Sequence, residues 1–170
     1  MSKEKYPIKA TSYIINLPGD ELIGSDSLAI FELVKNAYDA DATLVTISFN
    51  DLDSPNRNIV IEDNGIGMTS SVIQKVWLTI GTDYKKKQAK ISKKFHRISL
   101  GNKGVGRLAV HRLADEIFLE SQSEGDLFGS SLHINWKELI QSEEYIEDLS
   151  VEVEDGISKE FPDKHGTRIT

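Results

Sequence analysis

From Asp26 onward the apolar residues Leu28, Ile30, Leu33, Val34 and Ala37 return at helical spacing, and Ser25 or Asp26 stands where an N-cap is needed. The rhythm then changes. Thr43 to Asn50 alternates Leu44, Thr46 and Ser48 with Val45, Ile47 and Phe49, the pattern of a half-buried strand. Asp51 to Asn58 carries Pro55 and reads as a turn, and Asn58 to Glu62 is a second strand, so the two predict a hairpin. Thr69 is placed to cap a short helix through Val72, Ile73, Val76 and Trp77. Gly81 to Leu100 is polar, basic and without period, which predicts a long mobile loop. A helix led by glycines follows over Gly104 to Leu113. Glu116 to Ser123 and Leu127 to Asn135 predict another hairpin turning at Gly125-Asp126. Ile8 to Leu17 is weakly strand-like, Trp136 to Tyr145 a short helix, Val151 and Val153 mark a strand, and Gly166 to Thr170 begins one more. This order fits one α/β two-layer sandwich over 1–170, a mixed, largely antiparallel sheet covered by helices.

With 170 residues and 39% hydrophobic content the chain can bury a real core. The net charge of −7 opposes general coating of nucleic acid, yet it is uneven. Tyr84 to Ala114 holds no acid and ten bases: Lys85, Lys86, Lys87, Lys90, Lys93, Lys94, Arg97, Lys103, Arg107 and Arg112. A field of that sign attracts phosphates. The absence of cysteine excludes disulfides, thiol chemistry and thiolate metal sites. Met1 to Asp20 has no apolar run of signal or spanning length, so the expectation is a cytoplasmic protein without a membrane partner.

Three segments carry candidate chemistry. In the first, Glu32, Asn36 and Asp39 share one helix face at i, i+4 and i+7. An amide oxygen suits Mg²⁺ that already carries phosphate charge, and a carboxylate one turn away can deprotonate water. A solvated polar face is the plainer alternative. In the second, Asp63-Asn64-Gly65-Ile66-Gly67-Met68 follows a strand. Asp63 can accept from an exocyclic amine, and Gly65 and Gly67 remove side chains where a flat ligand would lie. An ordinary Asn-Gly turn is the alternative. In the third, Gly101, Gly104 and Gly106 run with Lys103, Val105 and Arg107 into a helix start, where free N–H groups suit phosphate oxygens. No Gly-Lys-Ser or Gly-Lys-Thr ending makes it a Walker A loop.

As an ordered set these segments resemble the GHKL ATPase superfamily of gyrase B subunits, ninety-kilodalton heat-shock chaperones, MutL and MORC proteins and histidine kinases. The resemblance runs from about Ile8 to Thr170. It implies the Bergerat-type ATP-binding fold, ATP and Mg²⁺ as cofactors, and slow ATP hydrolysis driving a conformational cycle. It implies Glu32 as general base, Asn36 as Mg²⁺ ligand and Asp63 as acceptor for the adenine amine. Gly101, Gly104 and Gly106 become the phosphate loop, and the hydroxyl of Thr167 in Gly166-Thr167 joins the adenine network through water. Gly81-Thr82-Asp83-Tyr84-Lys85 resembles the start of the lid of MutL- and MORC-like members, and Asp39-Ala40-Asp41-Ala42-Thr43 resembles the same branch. The expected lid is 81–103. His96, His111, His133 and His165 lie in no phospho-acceptor hairpin, so a kinase role is not expected. A transducer domain carrying a lysine for the terminal phosphate is expected beyond Thr170, and with it ATP-dependent homodimerisation. A nucleotide-gated interaction module and a clamp using its basic lid on DNA stay open as alternatives, as does a protein client.

Overall fold

The computed structural model describes residues 3–7, 9–10, 25–80, 91–101, 110, 113–135, 150–158, 161 and 163–170. Its frame is a seven-stranded sheet in which each pair of neighbours is antiparallel. The strands are β1 (Lys3–Pro7), β3 (Val45–Asn50), β4 (Asn58–Asp63), β6 (Glu116–Gln122), β7 (Gly129–Asn135), β8 (Ser150–Ile157) and β9 (Gly166–Ile169), in the spatial order β1-β8-β7-β6-β9-β4-β3. Two further strands, β2 (Lys9–Ala10) and β5 (Thr79–Ile80), form a separate parallel pair. The mixed character expected of the sheet thus resides in that pair. Of the strand expected over Ile8 to Leu17, the described part is β2, and β1 was not expected. The helix expected over Trp136 to Tyr145 lies outside the described residues. Of that expected over Gly104 to Leu113, Val110 and Leu113 are described and helical.

Both expected hairpins form. In the first, Val45 faces Asp63 and Asn50 faces Asn58; in the second, Glu116 faces Asn135. The last strand, β9, inserts between them: Asp63 pairs with Thr167, and Ser121 pairs with Thr167 from the other side. This insertion places three distant stretches of sequence side by side at one end of the sheet.

Helix α1 (Asp26–Asp39) is capped as expected, the Ser25 hydroxyl accepting from the Leu28 N–H at 3.2 Å. Its buried stripe is Ala29, Leu33 and Ala37. The expected apolar face is therefore rotated, because Leu28 is 40% exposed. Two alanines let the helix lie close to its support, while Phe31 and Tyr38 turn outward. Glu32, Asn36 and Asp39 then stand half-buried on the shoulder of the packed face, not on a solvated one. Helix α2 starts at Ser70 under the Thr69 cap and continues as a π turn over Ile73–Trp77. Leu33, Ile61, Ile73, Leu78, Val110, Ile117, Leu119, Leu132, Ile134, Val151 and Val153 make one core.

On the other side of β9, Arg168 pairs with Glu62 of β4, and its Nη1 lies 3.8 Å from Glu120 of β6, while its guanidinium stacks on Phe161. One cation between two carboxylates fastens the central strands without using the pocket face.

Candidate functional site: an acceptor cluster at the sheet end

Asp63 ends β4 and Thr167 faces it on β9. The Asp63 Oδ1 accepts from the Gly65 N–H at 2.8 Å. Burial pushes this carboxyl up from 3.8 to about 6, against the opposing pull of the Gly65 and Thr167 N–H groups and the nearby His165. An acid held so far above its ordinary value makes this end of the sheet a candidate functional site.

The glycines beside it have a structural reason different from the expected one. Gly67 sits at φ +63, and a Cβ there would run into the Gln122 carbonyl. A Cβ on Gly65 would stand 2.7 Å from the Ala40 carbonyl, which receives the Ile66 N–H at 2.8 Å. The space they spare is taken by the chain itself, and this close approach seats the loop against the end of α1. Asn64 completes the seat: its Oδ1 accepts from the Thr43 and Leu44 N–H groups, and its Nδ2 donates to Thr43 and to Asp163.

Ser121 was not singled out in the sequence. Fully buried on β6, it accepts the Met68 N–H at 2.8 Å, donates to the Gly166 carbonyl at 2.9 Å and lies 2.9 Å from Thr167 Oγ1. It ties the Asp63–Met68 loop to the Gly166-Thr167 strand. The available signal was a small polar residue at an inward position of an otherwise apolar alternation, Ile117, Leu119, Ser121. His165 adds a second tie, Nδ1 to the Gly65 carbonyl at 2.6 Å; since a carbonyl only accepts, Nδ1 carries the proton.

The first and third segments meet through Asp39. Its carboxylate accepts from the Ser99 hydroxyl and from the Leu100 and Gly101 N–H groups at 2.8 to 3.1 Å. Asp41, 4% exposed, does the same for Ser92, Lys94 and Phe95. Burial works to raise the Asp41 carboxyl, but the Ser92 hydroxyl, two N–H groups and the Arg97 charge outweigh it and hold it below 3.8. Arg97 donates to the Ala42 and Tyr38 carbonyls and stacks on the Tyr38 and Phe95 rings. Residues 91–101 are therefore fastened to the end of α1, whereas a single mobile loop was expected from Gly81 to Leu100. The backbone donors of this stretch had no pattern by which two distant aspartates could be foreseen as their acceptors. Asp41→Ala should loosen the fastening over Ser92 to Phe95. Trypsin cleavage after Lys93 and Lys94 is expected to rise at least about tenfold in the variant, tracking the opened population, with unchanged cleavage as the contrary result.

Glu32 is half-buried, with Oε1 at 2.7 Å from Lys35 Nζ. Asn36 lies one turn along α1. Lys103, Gly104, Val105, Gly106 and Arg107 fall outside the described residues, as does 81–90. Among the described residues no group of three or more His, Cys, Asp or Glu could hold a metal ion, and no helix is long and apolar enough to cross a membrane.

The chain matches, over residues 25–167, the family described as histidine kinase-, DNA gyrase B-, and HSP90-like ATPase. It belongs to that family. The α/β arrangement seen here is the fold of this ATPase family. Among curated proteins the chain is 32% identical over 142 residues to the chaperone protein HtpG of Fusobacterium nucleatum subsp. nucleatum, covering 72% of this chain and 23% of HtpG. It is 31% identical over 133 residues to a protein of Herpetosiphon aurantiacus that carries the type II restriction-enzyme name HgiDII, covering 78% of this chain and 21% of that protein. The chain thus spans about a fifth of the length of these relatives. Membership in the ATPase family supports ATP binding and ATPase-type function.

Proposed function

We propose that the chain is an Mg²⁺-dependent ATP-binding domain that hydrolyses ATP slowly and uses the nucleotide to drive a conformational cycle. The observation that carries this reading is the cluster of acceptors at the sheet end, where Asp63 and Thr167 face each other across β4 and β9. Such a pair suits an exocyclic amine, which adenine presents and guanine lacks at the same position. Glu32 would take the proton of the attacking water. Asn36 would hold Mg²⁺ through its amide oxygen, and the ion, when bound, neutralises charge on the phosphates. The N–H groups of Gly104 to Arg107, with Lys103, would hold the phosphate oxygens. The protein's contribution is positioning and electrostatics. The setting proposed is the cytoplasm, with a transducer domain and a homodimer formed through a longer chain.

The DNA-clamp reading rests on the acid-free stretch and on the name of one relative. Two of its described cations are already engaged, Lys94 on Glu124 at 3.1 Å and Arg97 on carbonyls and rings. This weighs toward a nucleotide role. Steady-state phosphate release tests the proposal: slow turnover of ATP, abolished by chelation of Mg²⁺ and indifferent to DNA, is expected. Stimulation only by DNA favours the clamp, and binding without release favours a gated interaction module.

Protonation of Asp63 removes an acceptor that the amine needs. Affinity for adenosine, which does not itself titrate here, should therefore fall as pH drops through about 6, approaching tenfold per unit well below that value. A flat profile from pH 7.5 to 5 would place the amine elsewhere.

A further inference from the structure

We infer that β3 is an interaction edge, along which the sheet pairs antiparallel with β3 of a second copy of this chain about a two-fold axis at Ile47. The surface lies outside the nucleotide reading above. It also differs from the homodimer proposed there, since it needs neither ATP nor a longer chain.

The two edges of the seven-stranded sheet are unlike. β1 reads Lys3-Glu4-Lys5-Tyr6-Pro7, and charge with proline is a common means of keeping an edge from pairing. β3 reads Val45-Thr46-Ile47-Ser48-Phe49-Asn50, with no charge and no proline. Its outer backbone is open. The Asn64 N–H donates to the Leu44 carbonyl at 3.3 Å, so Leu44 turns its backbone toward β4, and by alternation Thr46, Ser48 and Asn50 do the same. Val45, Ile47 and Phe49 therefore turn their N–H and C=O groups outward, where β3 has no neighbour among the described strands. Ile47 pairs with the core residue Ile61, yet it is 36% exposed and Phe49 is 53% exposed. The core thus runs out onto an uncovered apolar row beside open backbone groups.

A second copy suits this edge because the strand complements itself. With Ile47 opposite Ile47 of the copy, Val45 meets the copy's Phe49 and Thr46 meets its Ser48. An aromatic with a β-branched residue and a threonine with a serine are both favourable cross-strand pairs. Every outward N–H and C=O of Val45, Ile47 and Phe49 gains a partner, and no charge faces a like charge. Sliding the copies by two residues sets Phe49 against Thr43 or Val45 against Asp51, which lie outside the strand on either side, Asp51 at φ +51. The strand therefore fixes both the occupant and the register.

Sedimentation of the 170-residue chain should show a dimer at micromolar concentration, the same with and without ATP. Ile47→Lys sets two like charges against each other on the axis and should raise the dissociation constant at least about a hundredfold. Mixing it with Ile47→Glu should restore a heterodimer. A monomeric parent, a dimer that forms only with ATP, or a dimer undisturbed by Ile47→Lys overturns the inference. Should Ile47→Lys fail to fold, cross-linking decides instead. The chain has no cysteine, so Ile47→Cys carries a single thiol. Its Cα would lie about 5.5 Å from that of its copy, within disulfide reach. In the same register Asn50→Cys would lie six positions out of line with its copy, roughly 20 Å along the strand. Mild oxidation should therefore link Ile47→Cys and leave Asn50→Cys unlinked. The reverse pattern, or no link in Ile47→Cys, overturns the pairing.

Discussion

Glu32→Ala is expected to keep ATP affinity within a few-fold and to lower turnover by roughly 10²–10⁴, the usual worth of a positioned general base. The side chain is half-buried on the shoulder of α1, one turn from Asn36, and outside the base-binding end around Asp63. Its ion pair with Lys35 is partly exposed, so losing it should cost about 0–1 kcal/mol of stability and leave the fold intact. A fall in rate could then not be read as unfolding. Lys35 occupies Oε1 at 2.7 Å and fixes the orientation of the carboxylate. Phosphate release is the assay, with nucleotide affinity measured on the same preparation. A wild-type rate in the variant means that water is activated by another group.

Asp63→Asn should move stability and binding in opposite directions. The unliganded protein is expected to gain about 1–3 kcal/mol at neutral pH, because an ionised carboxyl pushed to about 6 is one the fold holds at a cost. The sign is set by linkage. The folded state holds its proton at a higher pH than the unfolded chain does, so this group favours folding below about 4. That contribution fades as pH climbs through about 6. The asparagine variant should lack this component of the pH dependence. Its amide oxygen can still accept from Gly65. Toward the ligand, however, it can turn a donor against a donor, and ATP binding should weaken by about 1–3 kcal/mol. Thermal unfolding at several pH values, beside calorimetric titration with ATP, reads both effects. A variant less stable than its parent at pH 7, or one binding ATP equally well, would contradict the assignment.

Local signals in the sequence were good guides where the structure is local. The Ser25 and Thr69 caps, the alternation of Val45, Ile47 and Phe49 and the turn at Gly125 all lead to elements found. Non-local pairing was not legible. β1 offers five residues with no apolar rhythm and exists through its partner β8, while β9 takes its central place because it matches both β4 and β6. The candidate site follows the same division. Asp63, Gly67 and Thr167 belong to short, contiguous motifs that could be read in advance, and the structure brings them together. Ser121 and His165 could not, because their importance lies in contacts 45 to 100 residues distant along the chain. Asp39, expected at the nucleotide, accepts from the Leu100 and Gly101 N–H groups, a contact that no local pattern announced.

The central claim is that the base of ATP sits between Asp63 and Thr167. Amide chemical shifts of the isotopically labelled chain, followed as ATP and Mg²⁺ are added, test it most directly. The account predicts saturable shifts of the Gly65, Gly67, Met68, Ser121 and Thr167 amides, reproduced by adenosine alone and lost in Asp63→Asn. Shifts confined to the opposite side of the sheet, around Phe118 and His133, or to the basic residues from Lys93 to Arg97, with the Gly65 and Thr167 amides unmoved, would contradict it.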